Sequence, residues 1–271
     1  MTLIDRSFVK KSFATSAATY DCYAGLQYRM NTRLIERYCT EDLHPMRMLD
    51  IGMGTGNLGM QLLRRFPNAC LVGCDLAAAM IERARLNIVA AGLHATGLVA
   101  DAEQLPFMSC SFDLAASAFT FQWLEDWSLA LNEIQRVLRP GGVVLFSAFG
   151  SQTFYELRSS YRAACDETGY DQGEALQLAT TAESVSTSFA ACNLCDLRIE
   201  TLTHVSFYPT VNDLMRAIKG MGARNASARR NRTAGVRAIW NRMVAHYSEE
   251  FGCPTGIPAT FEIIMGAARK L

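Results

Sequence analysis

Hydrophobic positions along this chain change period several times, and each change marks an element. Between residues 8 and 39 the apolar and aromatic positions Phe8, Phe13, Tyr20, Tyr23, Leu26, Tyr28, Met30, Leu34, Ile35 and Tyr38 recur at helical spacing. That spacing predicts two helices, with Ser16 and Thr19 as N-caps. From residue 47 onward, short apolar runs alternate with amphipathic stretches. The runs predict strands at 47–51, 69–75, 96–100, 112–118 and 143–149, the last after a Pro140-Gly-Gly142 turn. Helices are predicted between them at 57–66, 77–91 and 126–138. This alternation implies a parallel sheet with crossover helices.

Past Gly150 the rhythm shifts to a helix at 153–167, a polar loop around Asp171 and a helix at 182–192. A long strand at 197–208 and a final strand at 260–268 follow. Residues 210–251 read as helices interrupted by a basic segment, and an insertion of that size between two strands usually covers a ligand. The expected organisation is one domain: N-terminal helices over 1–44, a ligand-binding core over 45–150, a helical segment over 151–195 and a helical lid over 210–255.

The first strand ends in Met48-Leu-Asp-Ile-Gly-Met-Gly-Thr-Gly56. Glycine has no Cβ and tolerates positive φ, so Gly52, Gly54 and Gly56 let the chain turn sharply into a helix while a ligand approaches the main chain. Gly54-Thr-Gly-Asn-Leu-Gly59 also matches the dinucleotide fingerprint literally. The carboxylate of Asp50 at the strand end argues against that reading, because it repels a pyrophosphate. It suits a ligand that carries an ammonium, as S-adenosylmethionine does, and on this reading the match through Gly59 is coincidental.

Asp75 ends the second strand about 20 residues after the glycine loop, where a carboxylate accepts from both hydroxyls of a ribose. Both cofactor classes use that contact. The third strand leads into Val99-Ala-Asp-Ala-Glu-Gln-Leu-Pro-Phe107, where Asp101 can accept from an exocyclic amine and the Ala102 N–H can serve a ring nitrogen of an adenine. The fourth strand runs out through Ala118 and Phe119 to Gln122 and Trp123, an aromatic end expected to face the reacting group.

Composition narrows the classes. The chain has 271 residues, half of them apolar, with 26 acidic and 26 basic groups, so it gives no general support to nucleic-acid binding. No apolar run approaches the ~20 residues of a membrane span. Nine cysteines in no repeated spacing, with no signal-like N-terminus, point to reduced thiols in a cytoplasm. Cys192-Asn-Leu-Cys195 has no second pair or neighbouring histidine and reads as packing, so no metal is expected.

Taken together, Leu49-Asp-Ile-Gly-Met-Gly-Thr-Gly56, Asp75, Asp101-Ala-Glu-Gln-Leu-Pro106, Gln122-Trp123 and Arg136-Val-Leu-Arg-Pro-Gly-Gly142 resemble the class I S-adenosylmethionine-dependent methyltransferases over residues 45–150. Met53 departs from the pattern, since many relatives carry a smaller residue there. A narrower likeness rests on Phe13-Ala-Thr-Ser-Ala-Ala-Thr-Tyr-Asp-Cys-Tyr-Ala-Gly-Leu-Gln27, Leu214-Met-Arg-Ala-Ile-Lys-Gly-Met-Gly-Ala-Arg-Asn225 and Phe261-Glu-Ile-Ile-Met-Gly266. These are similar to the malonyl-[acyl-carrier protein] O-methyltransferase family of biotin synthesis.

The resemblance implies a Rossmann-like, mostly parallel seven-stranded α/β sheet, S-adenosylmethionine as methyl donor, and the free carboxylate of a malonyl thioester on an acidic acyl carrier protein as acceptor. It implies a cofactor site from Gln27, Asp50, Gly52, Gly54, Gly56, Asp75, Leu76, Asp101, Ala102, Glu103 and Ala118. Tyr23, Phe119, Gln122 and Trp123 would line the substrate, and Tyr20, Arg224 and Lys219 would orient the acceptor carboxylate. The basic run Arg224–Arg232, with Arg216 and Arg237, would attract the carrier. A different small acceptor such as a quinone, a nicotinamide oxidoreductase and a non-catalytic nucleoside-binding module are the competing readings.

Overall fold

The computed structural model describes residues 5–124, 126–169, 180–223 and 236–271. Arg224, Arg229, Arg230 and Arg232 of the basic segment, and the loop around Asp171, lie outside the described residues.

Five parallel strands form most of the sheet: β1 (Arg47–Ile51), β2 (Cys70–Asp75), β3 (Thr96–Val99), β4 (Phe112–Ala118) and β5 (Leu138–Phe149). Two more, β6 (Leu194–Tyr208) and β7 (Ile257–Lys270), complete the order β3-β2-β1-β4-β5-β7-β6, with β7 antiparallel to both of its neighbours. The predicted strands are all present, and the last two are longer than the apolar alternation suggested. Strand β5 starts at Leu138, inside the stretch read as helix and turn. Leu138 pairs with Phe112, a register shift absorbs residues 139–142, and Gly141 sits at φ 77°. Pairing resumes at Val143, so the Pro-Gly-Gly segment is a bulge within a strand.

Alternating strand residues feed two separate cores. Leu49 and Ile51 face the layer of α6 (Trp127–Val137) and α8 (Ala182–Ala191), and are fully buried there. Met48 points the other way, into the layer of α3 (Gly25–Tyr38), α4 (Asn57–Arg65), α7 (Tyr155–Thr168) and α10 (Val236–Phe251). Asp50 shares that second face by the two-residue period of a strand. A buried carboxylate therefore lies at the sheet–α4 seam. Between β2 and β3 on one side and α5 (Ala78–Ala90) on the other, Met53 fills the space left by two glycines. A Cβ at Gly73 would lie 2.6 Å from its Cε, and one at Gly97 3.6 Å from its Sδ.

The N-terminal region forms three helices instead of two: α1 (Arg6–Ser16), α2 (Tyr20–Tyr23) and α3. Of the two expected caps, Thr19 stands at the N-cap position of α2 and Ser16 does not begin a helix. Ser16 ends α1 and its Oγ donates to the Lys219 carbonyl at 3.3 Å, while Thr19 makes no side-chain cap bond and donates to the Ser16 carbonyl. Asp5 caps α1 by accepting from the Phe8 N–H. The C-terminal end of α9 (Val211–Gly220) is seated on these helices: Ser12 donates to the Gly222 carbonyl at 2.8 Å, and Tyr23 lies against Gly220 where any Cβ would overlap it. Among the described residues, no helix is long and apolar enough to cross a membrane.

Candidate functional site

In open α/β sheets, ligands bind beyond the carboxyl ends of the strands, where the strand order reverses. Here the order reverses between β1 and β4, and two clefts open there. The first is lined by Gly52, Gly54, Asp75, Leu76, Asp101, Ala102, Ala118, Phe119 and Trp123, and by Arg6, Val9, Lys10 and Phe13 of α1. The second is lined by Gln27, Asn31, Asp50, Thr55, Asn57 and Asn87 among others. Tyr20, Gly52, Gly54, Ala118 and Phe119 line both, so the clefts meet at the ends of β1 and β4 beneath α2.

The glycine loop works through its missing side chains. Gly52 has φ 69°, and its N–H donates to the Cys74 carbonyl at 2.8 Å. Gly54 has φ 53°, and a Cβ there would enter open space in the clefts. Gly56 lines neither cleft. At φ 85° it turns the chain into α4 and lets α5 approach, since a Cβ would sit 3.2 Å from both Ala84 and Ile88. Gly59, read as a coincidence of the fingerprint, has a packing reason. A Cβ there would lie 2.6 Å from Leu71 and 3.0 Å from the Asp50 carboxylate.

In the first cleft the carboxylates stand where sequence placed them. Asp75 accepts from the Gly54 N–H at 3.0 Å and the Ala77 N–H at 2.8 Å, one on each oxygen, which leaves each oxygen able to accept once more. Burial raises its pKa despite those bonds. Asp101 spends Oδ1 on the Glu103 N–H and on Arg6, leaving Oδ2 for an amine. Glu103 does not line the cleft; it holds the other arm of Arg6 at 2.7 Å.

The second cleft has a distinct polarity. Asp50 Oδ2, Gln27 Oε1 and Asn31 Oδ1 are buried acceptors without partners, on side chains 1 %, 7 % and 4 % exposed. Buried acceptors are almost always satisfied, so three orphans lining one cleft mark the place of a donor-rich group, and an ammonium fits it. Burial pushes the Asp50 carboxyl up to about 7, opposed by the Gly59 N–H and reinforced by Asp75.

At the junction, Phe119 is held at φ 55°, a conformation a non-glycine residue adopts only when its surroundings impose it. Its N–H donates to the Ser147 carbonyl at 2.7 Å and its ring packs on Phe149, which turns the side chain toward both clefts. Tyr20 closes the junction from above; burial, then Asp75, then Asp21 raise its pKa, so the phenol stays protonated. Trp123 stacks edge-on against Phe13 at 5.5 Å, and its indole N–H is buried without a partner.

Other expected site residues stand elsewhere. Gln122 accepts from the Phe149 N–H at 3.0 Å and braces the end of β5. Tyr23 packs on Gly220, and Lys219 is an exposed side chain of α9; none of these three lines a cleft. No described residue of 210–255 does either. Arg224 lies outside the described residues.

Sequence reasoning missed two clasps that hold the N-terminal helices over the site. Arg6 donates to Asp101 at 2.5 Å and Glu103 at 2.7 Å. Asp21 accepts from Thr55 of the glycine loop at 2.6 Å and from Asn87 of α5 at 3.0 Å. Arg6→Met is expected to raise the amide exchange rate across α1 about tenfold, with β1 and β4 unchanged. The pair is 40 % exposed on the arginine side, which limits its worth to about 1–2 kcal/mol. Equal exchange in wild type and variant would show that the clasp contributes nothing.

Residues 48–142 match a family described as a methyltransferase domain. The chain is 35 % identical to a malonyl-[acyl-carrier protein] O-methyltransferase of Geobacter sulfurreducens over 99 % of this chain and 100 % of that one. It is 36 % identical to the protein of the same name in Halorhodospira halophila, over 98 % of this chain and 88 % of the other. Among solved structures, the YcgJ protein of Bacillus subtilis superposes with a TM-score of 0.62 at 18 % identity, over 89 % of this chain and 98 % of that one. A phosphoethanolamine N-methyltransferase of Haemonchus contortus, solved with S-adenosylhomocysteine, gives 0.61 at 19 % identity, over 99 % of this chain and 60 % of that one. These two likenesses speak for the fold.

Proposed function

The chain belongs to the malonyl-[acyl-carrier protein] O-methyltransferase family, and from that premise we propose how its two clefts carry out the reaction. It is an S-adenosylmethionine-dependent methyltransferase that forms a methyl ester on the free carboxylate of a malonyl thioester borne by acyl carrier protein. The observation that carries our assignment of residues is the meeting of a cleft lined by Asp75, Asp101 and Ala102 with an acceptor-rich one at Gly52, Ala118 and Phe119.

In this reading Asp75 takes the ribose, Asp101 and Ala102 the adenine, and Leu76 packs on the base. Asp50, Gln27 and Asn31 take the amino-acid end, whose ammonium satisfies the three orphaned acceptors. When bound, the cofactor supplies an electrophilic methyl group on a sulfonium. The acceptor carboxylate is already ionised at neutral pH, so the chain needs no general base. Its work is positioning and exclusion of water.

Tyr20, kept protonated, and Phe119 wall the point where the two ends of the cofactor join. The unpartnered Trp123 indole N–H offers a donor to the acyl group. An arginine holds the acceptor carboxylate by its fork geometry, and Arg224 is our candidate; Lys219, exposed on α9 and outside both clefts, is set aside. The carrier is acidic and meets basic groups on this chain. Nine free cysteines suit a reducing compartment, and we assign the reaction to the cytoplasm.

Transfer of labelled methyl groups tests the reading. Malonyl-carrier protein is expected to take the label and acetyl-carrier protein to take none, because the acetyl group has no free carboxylate. Equal labelling of both would sink the carboxyl-ester mechanism.

A further inference from the structure

Helix α3 carries Arg29, Arg33 and Arg37, four residues apart, so the three guanidiniums rise along one helical face over about 12 Å. Arg33 and Arg37 are 49 % and 66 % exposed. Both reach one carboxylate, Glu200 of the edge strand β6, at 3.3 and 3.9 Å. Arg29 contacts His204 of the same strand at 3.3 Å, and burial followed by Arg29 lowers that histidine's pKa, so it adds no charge at neutral pH. A fourth exposed guanidinium, Arg198, lies over the Tyr38 ring at 5.7 Å. Against these four guanidiniums stand Glu36, the one carboxylate on α3, and Glu200 and Asp196 of β6, so the balance stays positive in a chain whose net charge is zero.

The stripe leads to the site. The Arg29 guanidinium lies 3.8 Å from where a Cβ of Gly25 would stand, and Gly25 and Tyr28 line the second cleft. One end of the ladder is therefore at the cleft rim, and the rest runs away from it along the outside of the sheet. A small substrate has no use for charge at that distance. A protein that delivers its acyl group on a long flexible arm does, because its body can rest beside the rim while the thioester reaches the junction of the clefts at Tyr20 and Phe119.

Resting on the acceptor assigned above, we propose that the α3 arginine ladder, with Arg198, is the docking surface for the acidic carrier protein. This differs from the expectation that placed docking on Arg216, Arg237 and the segment between them. Arg216 is matched one to one by Asp213 at 2.5 Å, whereas Arg33 and Arg37 share the single carboxylate of Glu200.

Steady-state kinetics with malonyl-carrier protein at two salt concentrations test the proposal. The triple charge reversal Arg29→Glu, Arg33→Glu, Arg37→Glu is expected to raise KM for the carrier at least tenfold and to flatten its salt dependence. It should retain kcat at saturating carrier and leave S-adenosylhomocysteine affinity unchanged, which also reports that the variant is folded. Glu200→Gln removes the compensating carboxylate without reversing any arginine and is expected to lower KM. An unchanged KM in the reversal variant overturns the proposal. So does a KM rise that follows Arg216→Glu and Arg237→Glu but not the ladder. A wild-type chain that labels no malonyl-carrier protein would instead sink the acceptor assignment, before any variant is compared.

Discussion

Gly52→Ala is expected to weaken binding of S-adenosylhomocysteine by about a hundredfold, corresponding to about 2.7 kcal/mol. Two independent costs lead there. The residue sits at φ 69°, where an L side chain costs about 1–2 kcal/mol. The new Cβ would also stand 2.8 Å from the Thr120 Cβ and overlap the hydroxyl. Thr120 cannot swing away freely, because its Oγ1 lies 3.4 Å from the Ile51 and Gly52 carbonyls and 3.3 Å from that of Ala118, across the seam of β1 and β4. Relief of the overlap therefore shifts the two strand ends at which both clefts meet. Isothermal titration of the variant, with a thermal melt to report the fold, gives the answer. Affinity within threefold of wild type would show that the seam yields and that the glycine is not required.

Asp50→Asn is expected to bring a loss of similar size with the opposite effect on the empty protein. The folded carboxyl has its pKa pushed up to about 7, mainly by burial. An unfolded aspartate titrates near 3.9. Between these values the folded chain keeps a proton that the unfolded chain has released, so stability is full below about pH 4 and is lost as pH rises toward about 7. Asparagine never ionises, so the variant without cofactor is expected to melt higher than wild type at pH 8, by less at pH 5, and equally only below about pH 4.

Binding follows the reverse course, because an ammonium needs the carboxylate. Wild-type affinity is expected to rise about tenfold per pH unit below 7 and level off above it, while the variant stays about a hundredfold weaker at pH 8 with no slope. Calorimetric titrations at pH 6, 7 and 8 separate the two. A variant that binds as tightly as wild type and shows the same slope would remove Asp50 from the cofactor site.

The strand ends and their acidic residues were legible because each is fixed by local pattern: an apolar run, a stop, then glycine or aspartate. The clasps were not. Arg6 reaches Asp101 and Glu103 across 95 and 97 residues of sequence, and a charged residue on a short helix looks the same whether solvent or a carboxylate faces it. Gln122 and Tyr23 share the opposite fault, since their neighbours in sequence belong to the site while their side chains turn to Phe149 and Gly220. The start of β5 was hidden by Pro140-Gly-Gly142, which reads as a turn in one dimension and is a bulge once Leu138 is paired. Asn31 gave no signal at all: an asparagine inside a helix is unremarked until its carbonyl proves buried and unpartnered.

The methionine that fills the gap beside β2 ties the histories of positions 53 and 73 together. Any side chain at 73 collides with Met53, and any trimming of Met53 leaves a void over two glycines. A lineage that acquires cysteine at 53 first gains room for alanine at 73, whereas alanine arriving first meets the thioether. Drift between the two pairings thus has a fixed order of steps, and a hybrid that borrows either residue from a divergent relative should be less stable than both parents.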